Sequence, residues 1–189
     1  MVFLTPSSEV IAQTEVKGSR FIGCVIPMRD WEVRLGELAV EHRKASHICT
    51  ATRQMADDNS VIERARDDGE PGGTAGRPIL AVLAGAEVVE AGIAVVRYFG
   101  GTKLGTGGLA RAYGGAASEA LALAKLTEWH RIASRQLRAG FSDANTLERL
   151  IAAMPLEVTD RIHTEEGTVL TVRGPEATLA DAALVEWMR

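Results

Sequence analysis

Residues 95–115 read VVRYFGGTKLGTGGLARAYGG, and the interpretation of the whole chain starts from this stretch. It contains seven glycines and three cationic residues, Arg97, Lys103 and Arg111, but no acidic residue. Its apolar, valine-rich beginning is typical of a buried strand, and the apolar spacing after the glycines predicts a long helix. We therefore expect a strand, a glycine-rich turn and a helix in this order.

The glycine-rich turn is a candidate anion site. Glycines before a helix N-terminus expose backbone N–H groups, and the helix dipole attracts negative charge to that end. Arg97, Lys103 and Arg111 would add positive charge. The alternative is that the glycines only permit a tight turn and close helix–sheet packing, and the sequence leaves both interpretations open. The backbone of the site would come from Gly100, Gly101, Gly105, Gly107 and Gly108.

The known nucleotide motifs do not fit this turn. Residues 105–110 match the G-x-G-x-x-A dinucleotide fingerprint, but five residues separate the predicted strand from the first of these glycines. No β-α-β unit with an acidic ribose ligand follows, and Lys103 does not complete a phosphate loop. We therefore expect no bound cofactor.

Composition limits the class of protein. The 189 residues are 46% hydrophobic, without the run of roughly 20 apolar residues that a membrane helix needs. The N-terminus has no secretory pattern, and Cys24 and Cys49 are isolated, as is typical of reduced thiols. These features predict a soluble, cytoplasmic protein with no membrane partner. The formal net charge of −4 disfavours general binding of nucleic acid, so an anion site has to be local.

The N-terminal part of the chain predicts alternating strands and helices. A hairpin should turn at Lys17 and Gly18, and Asp30 should cap a helix that ends near Arg43. Gly114 and Gly115 lie inside the long helix, where close backbone packing would explain them. The remaining elements predicted here are strands over 47–53, 61–66 and 88–99 and a short helix over 78–86.

A second pattern begins near residue 127. A strand, a helix, a hairpin turning at Glu166 and Gly167, and a final helix with Pro175 in its first turn give the order β-α-β-β-α. This order describes most of a ferredoxin-like unit without its fourth strand. We expect two domains, 1–126 and 127–189, with the second incomplete or truncated at its C-terminus.

Several titratable residues form a competing candidate site. Asp67, Asp68 and Glu70 could hold a hard cation through oxygen ligands, although the calcium-loop spacing is absent. His47 lies nearby in the sequence, without the spacing of a known zinc motif. A metal-dependent hydrolase that uses His47, Asp68 and Glu70 is therefore the alternative to a non-catalytic binding protein.

Four blocks of the sequence together resemble the signature of the IMPACT/YigZ family, and the resemblance covers roughly residues 2–125. The remainder is similar to the small C-terminal domain of bacterial members. The blocks are KGSRFIGCV, ASHICTATR, DDGEPGGTAGRPIL and VVRYFGGTKLGTGGLARAYGGA.

The resemblance implies an α+β protein of two domains. The first would have the left-handed β-α-β fold of a ribosomal small-subunit protein domain, and the second would resemble the ferredoxin-like last domain of elongation factor G. Eukaryotic relatives restrain a kinase of translation initiation through an additional N-terminal domain, which we expect this chain to lack together with its partner. For a bacterial member the resemblance implies a link to RNA, the ribosome or the translation machinery. It also groups His47, Asp68 and Glu70 with the glycine-rich turn on one surface.

Overall fold

The computed structural model describes residues 2–188. Two parts of the chain each fold around their own hydrophobic core. The two compact units are Met1–Trp129 and His130–Arg189. The first unit contains, in chain order, β1 (Leu4–Pro6), β2 (Val10–Val16), β3 (Ser19–Pro27), α1 (Trp31–Glu41), β4 (His47–Met55), β5 (Val61–Arg66), α2 (Gly76–Gly85), β6 (Ala91–Tyr98), α3 (Thr106–Ala122) and β7 (Leu126–Glu128).

Five of these strands form an antiparallel sheet in the order β2-β3-β6-β4-β5. The predicted hairpin is confirmed, since β2 and β3 pair on either side of Lys17 and Gly18, whose positive φ angles of 48° and 80° suit a two-residue turn. Strands β3 and β4 both lie antiparallel to β6, so they are parallel to each other, with α1 as their connection. The long buried strand of the sequence pattern is therefore the centre of the sheet.

Helices cover both faces of this sheet, which explains why β6 is buried along nearly its whole length and apolar from Ala91 to Val96. Trp31 and Leu38 of α1 pack on one face with Cys24, and α2 and α3 pack on the other face around Tyr113 and Cys49. The two cysteines are buried free thiols that belong to the cores of opposite faces.

Close helix–sheet packing uses a different glycine from the ones predicted. A Cβ on Gly114 would meet only ordinary contacts, and one on Gly115 would meet open space. A Cβ on Gly23 of β3 would instead lie 2.5 Å from the backbone oxygen of Ala116 in α3. The glycine that lets helix and sheet approach each other is thus in the strand.

Other boundaries differ from the prediction. The Asp30 side chain forms no capping hydrogen bond, although α1 begins directly after it. The strand predicted from residue 88 begins at Ala91. The first unit extends through Trp129, because β7 pairs with β1 and the Trp129 N–H donates to the oxygen of Phe3.

The second unit contains a three-stranded antiparallel sheet in the order β8-β10-β9. The predicted β-α-β-β-α order is present, but the single final helix is wrong. The chain forms two short helices there, and Asp181 begins the second by accepting a hydrogen bond from the Ala183 N–H. The elements are β8 (Ile132–Gly140), α4 (Ala144–Ala152), β9 (Glu157–Thr164), β10 (Gly167–Pro175), α5 (Glu176–Leu179) and α6 (Ala182–Val185).

Among residues 2–188, no helix has the length and apolar character needed to cross a membrane.

Candidate functional site

The glycine-rich turn begins against the β2–β3 hairpin. A Cβ on Gly100 would overlap the backbone of Gly18, and the Gly100 N–H donates a 3.0 Å hydrogen bond to the hydroxyl of Ser19. Gly101 follows with a φ of 84°. Gly100 therefore packs against the hairpin turn, and Gly101 adopts a left-handed conformation in the exposed loop.

Gly105 begins α3 in a conformation that only glycine adopts readily, with φ 71° and ψ 166°. Among the residues that the structure describes, no side chain caps this helix, and its first turn contains no acidic residue. The N–H groups at this end are therefore available to an external acceptor. Gly107 and Gly108 lie in the first turn with helical backbone, where Gly108 leaves room for the Leu104 side chain 3.0 Å from its Cβ position.

Arg111 places a cation over the start of α3. One of its terminal guanidinium nitrogens lies 3.6 Å from the position that a Cβ of Gly107 would occupy. A positive charge at the N-terminal end of a helix opposes the helix dipole, so this arrangement favours a bound anion between them.

The tertiary structure adds a cation that the sequence reasoning missed. A cavity of about 230 Å³ beside the start of α3 is lined by both Lys17 and Arg111. Lys103 is exposed in the loop before α3 and is not among the lining residues. The side chains of Lys17, Lys103 and Arg111 form no hydrogen bond or ion pair with the part of the chain that the structure describes. The sequence placed Lys17 in the hairpin turn, but it did not show that this turn packs against Gly100 of the glycine-rich loop.

Arg97 has a different environment from the other cations. Its guanidinium donates to Oε1 of Glu70 at 2.5 Å, and the hydroxyl of Tyr113 donates to the same oxygen at 2.7 Å. The Glu70 side chain is only 4% exposed and that of Arg97 only 7%. The positive charge of Arg97, which the sequence predicted to face an anion, is thus balanced by the Glu70 carboxylate inside the protein.

His47 and Asp68 border this buried pair. The Nδ1 atom of His47 donates to the backbone oxygen of Asp68 at 2.6 Å, which leaves Nε2 3.9 Å from Oε1 of Glu70. A carboxylate oxygen of Asp68 accepts the N–H of Ile48. The structure brings His47, Asp68, Glu70 and Arg97 together around a buried ion pair.

Asp67 organises the loop that carries Glu70. Its carboxylate accepts the backbone N–H groups of Gly73, Ala75 and Gly76 at 2.7–3.0 Å, at the start of α2. Burial alone would raise the pKa of this carboxyl, but the hydrogen bonds outweigh it and hold the pKa below its ordinary value. Asp67 is therefore a structural anion that fixes the loop at neutral pH.

The Cys49 thiol and the Tyr113 hydroxyl, which lie beside Glu70, keep their protons at neutral pH. Burial raises the pKa of the Cys49 thiol to about 12. Burial, with contacts to Cys49 and Glu70, also raises the pKa of Tyr113 above its ordinary value. Neither group is an activated nucleophile or base at neutral pH.

The geometry gives no support to the metal-dependent hydrolase. Each of the three side chains proposed for it already binds a protein partner: His47 the Asp68 carbonyl, Asp68 the Ile48 N–H, and Glu70 both Arg97 and Tyr113. Within residues 2–188, no group of three or more His, Cys, Asp or Glu side chains is arranged to hold a metal ion.

Comparison with known proteins finds a matching family profile and similar members of one protein family. Residues 17–121 match the profile of the Impact N-terminal domain. IMPACT family member YigZ of Escherichia coli is 43% identical over 122 residues, which are 63% of this chain and 60% of that protein. An IMPACT family member of Thermus thermophilus is 38% identical over 165 residues, covering 85% of this chain and 86% of the relative.

A solved structure has a similar fold along nearly the whole chain. It is described as the crystal structure of a hypothetical protein, is 33% identical, and superposes with a TM-score of 0.69. The match covers 95% of this chain and 88% of the other. The chain spans 60% of the length of the relatives from Haemophilus influenzae and E. coli.

Proposed function

The chain belongs to the IMPACT family, and from this premise we propose that it is a non-catalytic, translation-associated protein. It would bind RNA phosphates, or a phosphorylated ligand, at the start of α3. The observation that carries the proposal is the position of Arg111, whose guanidinium lies over the first turn of an uncapped helix without an acidic neighbour in that turn. A phosphate there would accept from backbone N–H groups and balance the cation.

The proposed site differs from the one read off the sequence. Lys17, Lys103 and Arg111 supply its charge, and Gly105, Gly107 and Gly108 supply its backbone. Arg97 is excluded because Glu70 already binds it. Gly100 and Gly101 shape the loop that leads to the site.

The link to translation rests on the family resemblance, as do the finer fold assignments. We propose the left-handed β-α-β topology for the connection of β3, α1 and β4. For the second unit, the strand order β8-β10-β9 supports a ferredoxin-like unit. We also propose a cytoplasmic location, where RNA or the ribosome would be the partner.

A salt titration of labelled single-stranded RNA tests the proposal. Each phosphate contact contributes a slope of about −0.7 to the dependence of log affinity on log salt, so three cations give an affinity that falls as roughly the square of the salt concentration. Lys103→Ala and Arg111→Gln should each make this negative slope less steep by about 0.7. Arg135→Gln, an exposed arginine of the second unit, is the matched control and should leave it unchanged. Equal slopes for all three variants would remove the start of α3 from the site.

A further inference from the structure

A groove lies on the face of the sheet opposite α2 and α3. Helix α1 packs on β3 and β6, and beside it the β4–β5 part of the same face forms the floor and the far wall. The groove has two cavities of about 470 and 410 Å³, which share Leu35, Thr50 and Arg66 as lining residues. Its size is in the range of small-molecule sites.

The floor of the groove carries two hydroxyl groups without a protein partner. Thr50 and Thr52 are only 8% and 7% exposed, and neither hydroxyl forms a hydrogen bond with any residue from 2 to 188. Both threonines line the cavity, so their hydroxyl groups are free to bind water or a ligand there.

The strand register sets an arginine beside each of these threonines. Thr50 pairs with Arg66 and Thr52 with Arg64, so the four side chains lie on one face in two rows. Gln54 holds Arg64 through a 2.9 Å hydrogen bond. The Arg66 side chain forms no hydrogen bond or ion pair with the described part of the chain, and it lines both cavities.

The opposite wall, on α1, is mainly apolar and includes Trp31 and Leu35. Each cavity is also lined by one acid: Glu32 in the larger, and Asp68, whose carboxylate accepts the Ile48 N–H, in the smaller. A polyanion along the whole groove would meet these acids. A ligand with one phosphate at the centre and a hydrogen-bond donor toward Glu32 would not.

We propose that this groove binds a nucleotide, with the phosphate on Arg66, Thr50 and Thr52 and the base against the α1 wall. Guanidinium and hydroxyl donors are the groups that bind phosphate oxygens. The apolar wall suits the flat face of a base, and the Glu32 carboxylate suits its amino groups. The nucleotide can come from solution or be one unit of a single-stranded RNA. This site is separate from the one proposed at the start of α3.

Nuclear magnetic resonance of the full chain with three probes tests the proposal: inorganic phosphate, GMP and a short single-stranded RNA. GMP should shift the amide signals of β4 and β5, and Arg66→Gln should weaken its binding roughly tenfold or more. Thr50→Val should weaken it severalfold, whereas Arg66→Lys should retain part of it. Arg135→Gln, an exposed arginine of the second unit, is the matched control and should leave GMP binding unchanged. Thermal melts confirm that each variant is folded.

The outcomes distinguish the groove from the start of α3 as the binding site, and a free nucleotide from RNA as the ligand. Shifts in β4 and β5 with RNA but not GMP, lost in Arg66→Gln, would support the groove with RNA as its ligand. Binding that is lost in Arg111→Gln and kept in Arg66→Gln would overturn the groove and support the start of α3. Absence of shifts in β4 and β5 with every probe would overturn the groove, whatever the salt titration shows.

Discussion

Oε1 of Glu70 accepts a 2.5 Å hydrogen bond from the guanidinium of Arg97, a residue 27 positions away in the chain. Glu70 belongs to the loop before α2 and Arg97 to the central strand β6. The pair therefore fastens the acidic loop to the middle of the sheet. Tyr113 of α3 reaches the same oxygen, so three parts of the fold meet at one carboxylate.

Glu70→Gln should lower the free energy of unfolding by about 3–5 kcal/mol, because it leaves the Arg97 charge buried without a counter-ion. Chemical denaturation of the purified variant measures this. Glu37→Gln is the control, since Glu37 pairs with Arg34 with its side chain 55% exposed, and such pairs contribute only about 0–1 kcal/mol. Equal losses for the two variants would contradict a structural role of the buried pair.

Gly100→Ala and Gly115→Ala should change stability in opposite directions. The added methyl group at residue 100 would overlap the Gly18 backbone and cost about 1–3 kcal/mol. At residue 115 it would meet open space within α3 and should stabilise the helix by roughly 1 kcal/mol. Thermal melts of both variants decide the matter, and a stable Gly100→Ala protein would mean that the loop need not touch the hairpin.

Gly105→Ala should be strained, whereas Gly107→Ala should not. Residue 105 has φ 71° and ψ 166°, a region that costs other residues about 1–3 kcal/mol. Residue 107 has helical backbone, and its added Cβ would make an ordinary 3.6 Å contact with Arg111. Denaturant unfolding should thus separate two glycines that look equivalent in the sequence. Similar stabilities of the two variants would contradict the turn geometry.

Alkaline pH should destabilise the fold through its buried thiols. Burial raises the pKa of Cys24 and of Cys49 from 9.0 to about 12. Between these values the unfolded chain loses the thiol protons and the folded chain keeps them, so the free energy of unfolding falls as pH rises. Unfolding at about pH 8 and about pH 10 should show a smaller fall for Cys24→Ala and Cys49→Ala than for the parent protein. An unchanged fall in both variants would exclude the thiols as its source.

Limited proteolysis should first cut the chain between the two units. The segment after β7 and before β8 has no strand or helix, and it joins the two compact units. We expect trypsin to release two stable fragments by cleavage near Arg131. First cleavage in the middle of either unit would contradict independent folding.

Local signals were sufficient for most elements of the fold. Alternating apolar residues around Lys17 and Gly18 predicted the hairpin, and the glycines followed by helical spacing predicted α3. Both are confirmed by the structure. These signals act within a few residues, so the sequence contains them directly. Elements without a strong period, such as the end of the chain after Pro175, were assigned less well, because Asp181 divides one expected helix into two.

The roles of individual side chains depended on contacts between distant parts of the chain. Sequence alone identified the glycine-rich, acid-free stretch as distinctive, but it assigned Arg97 and Arg111 the same role. Only the tertiary structure buries Arg97 against Glu70 and leaves Arg111 over the start of α3, because the loop before α2 packs onto Arg97 of β6. The position of the β2–β3 turn beside α3 likewise brings Lys17 to the cavity that Arg111 lines. Charge and backbone freedom are written in the sequence, whereas burial, which decides whether a charge is paired or available, arises from packing.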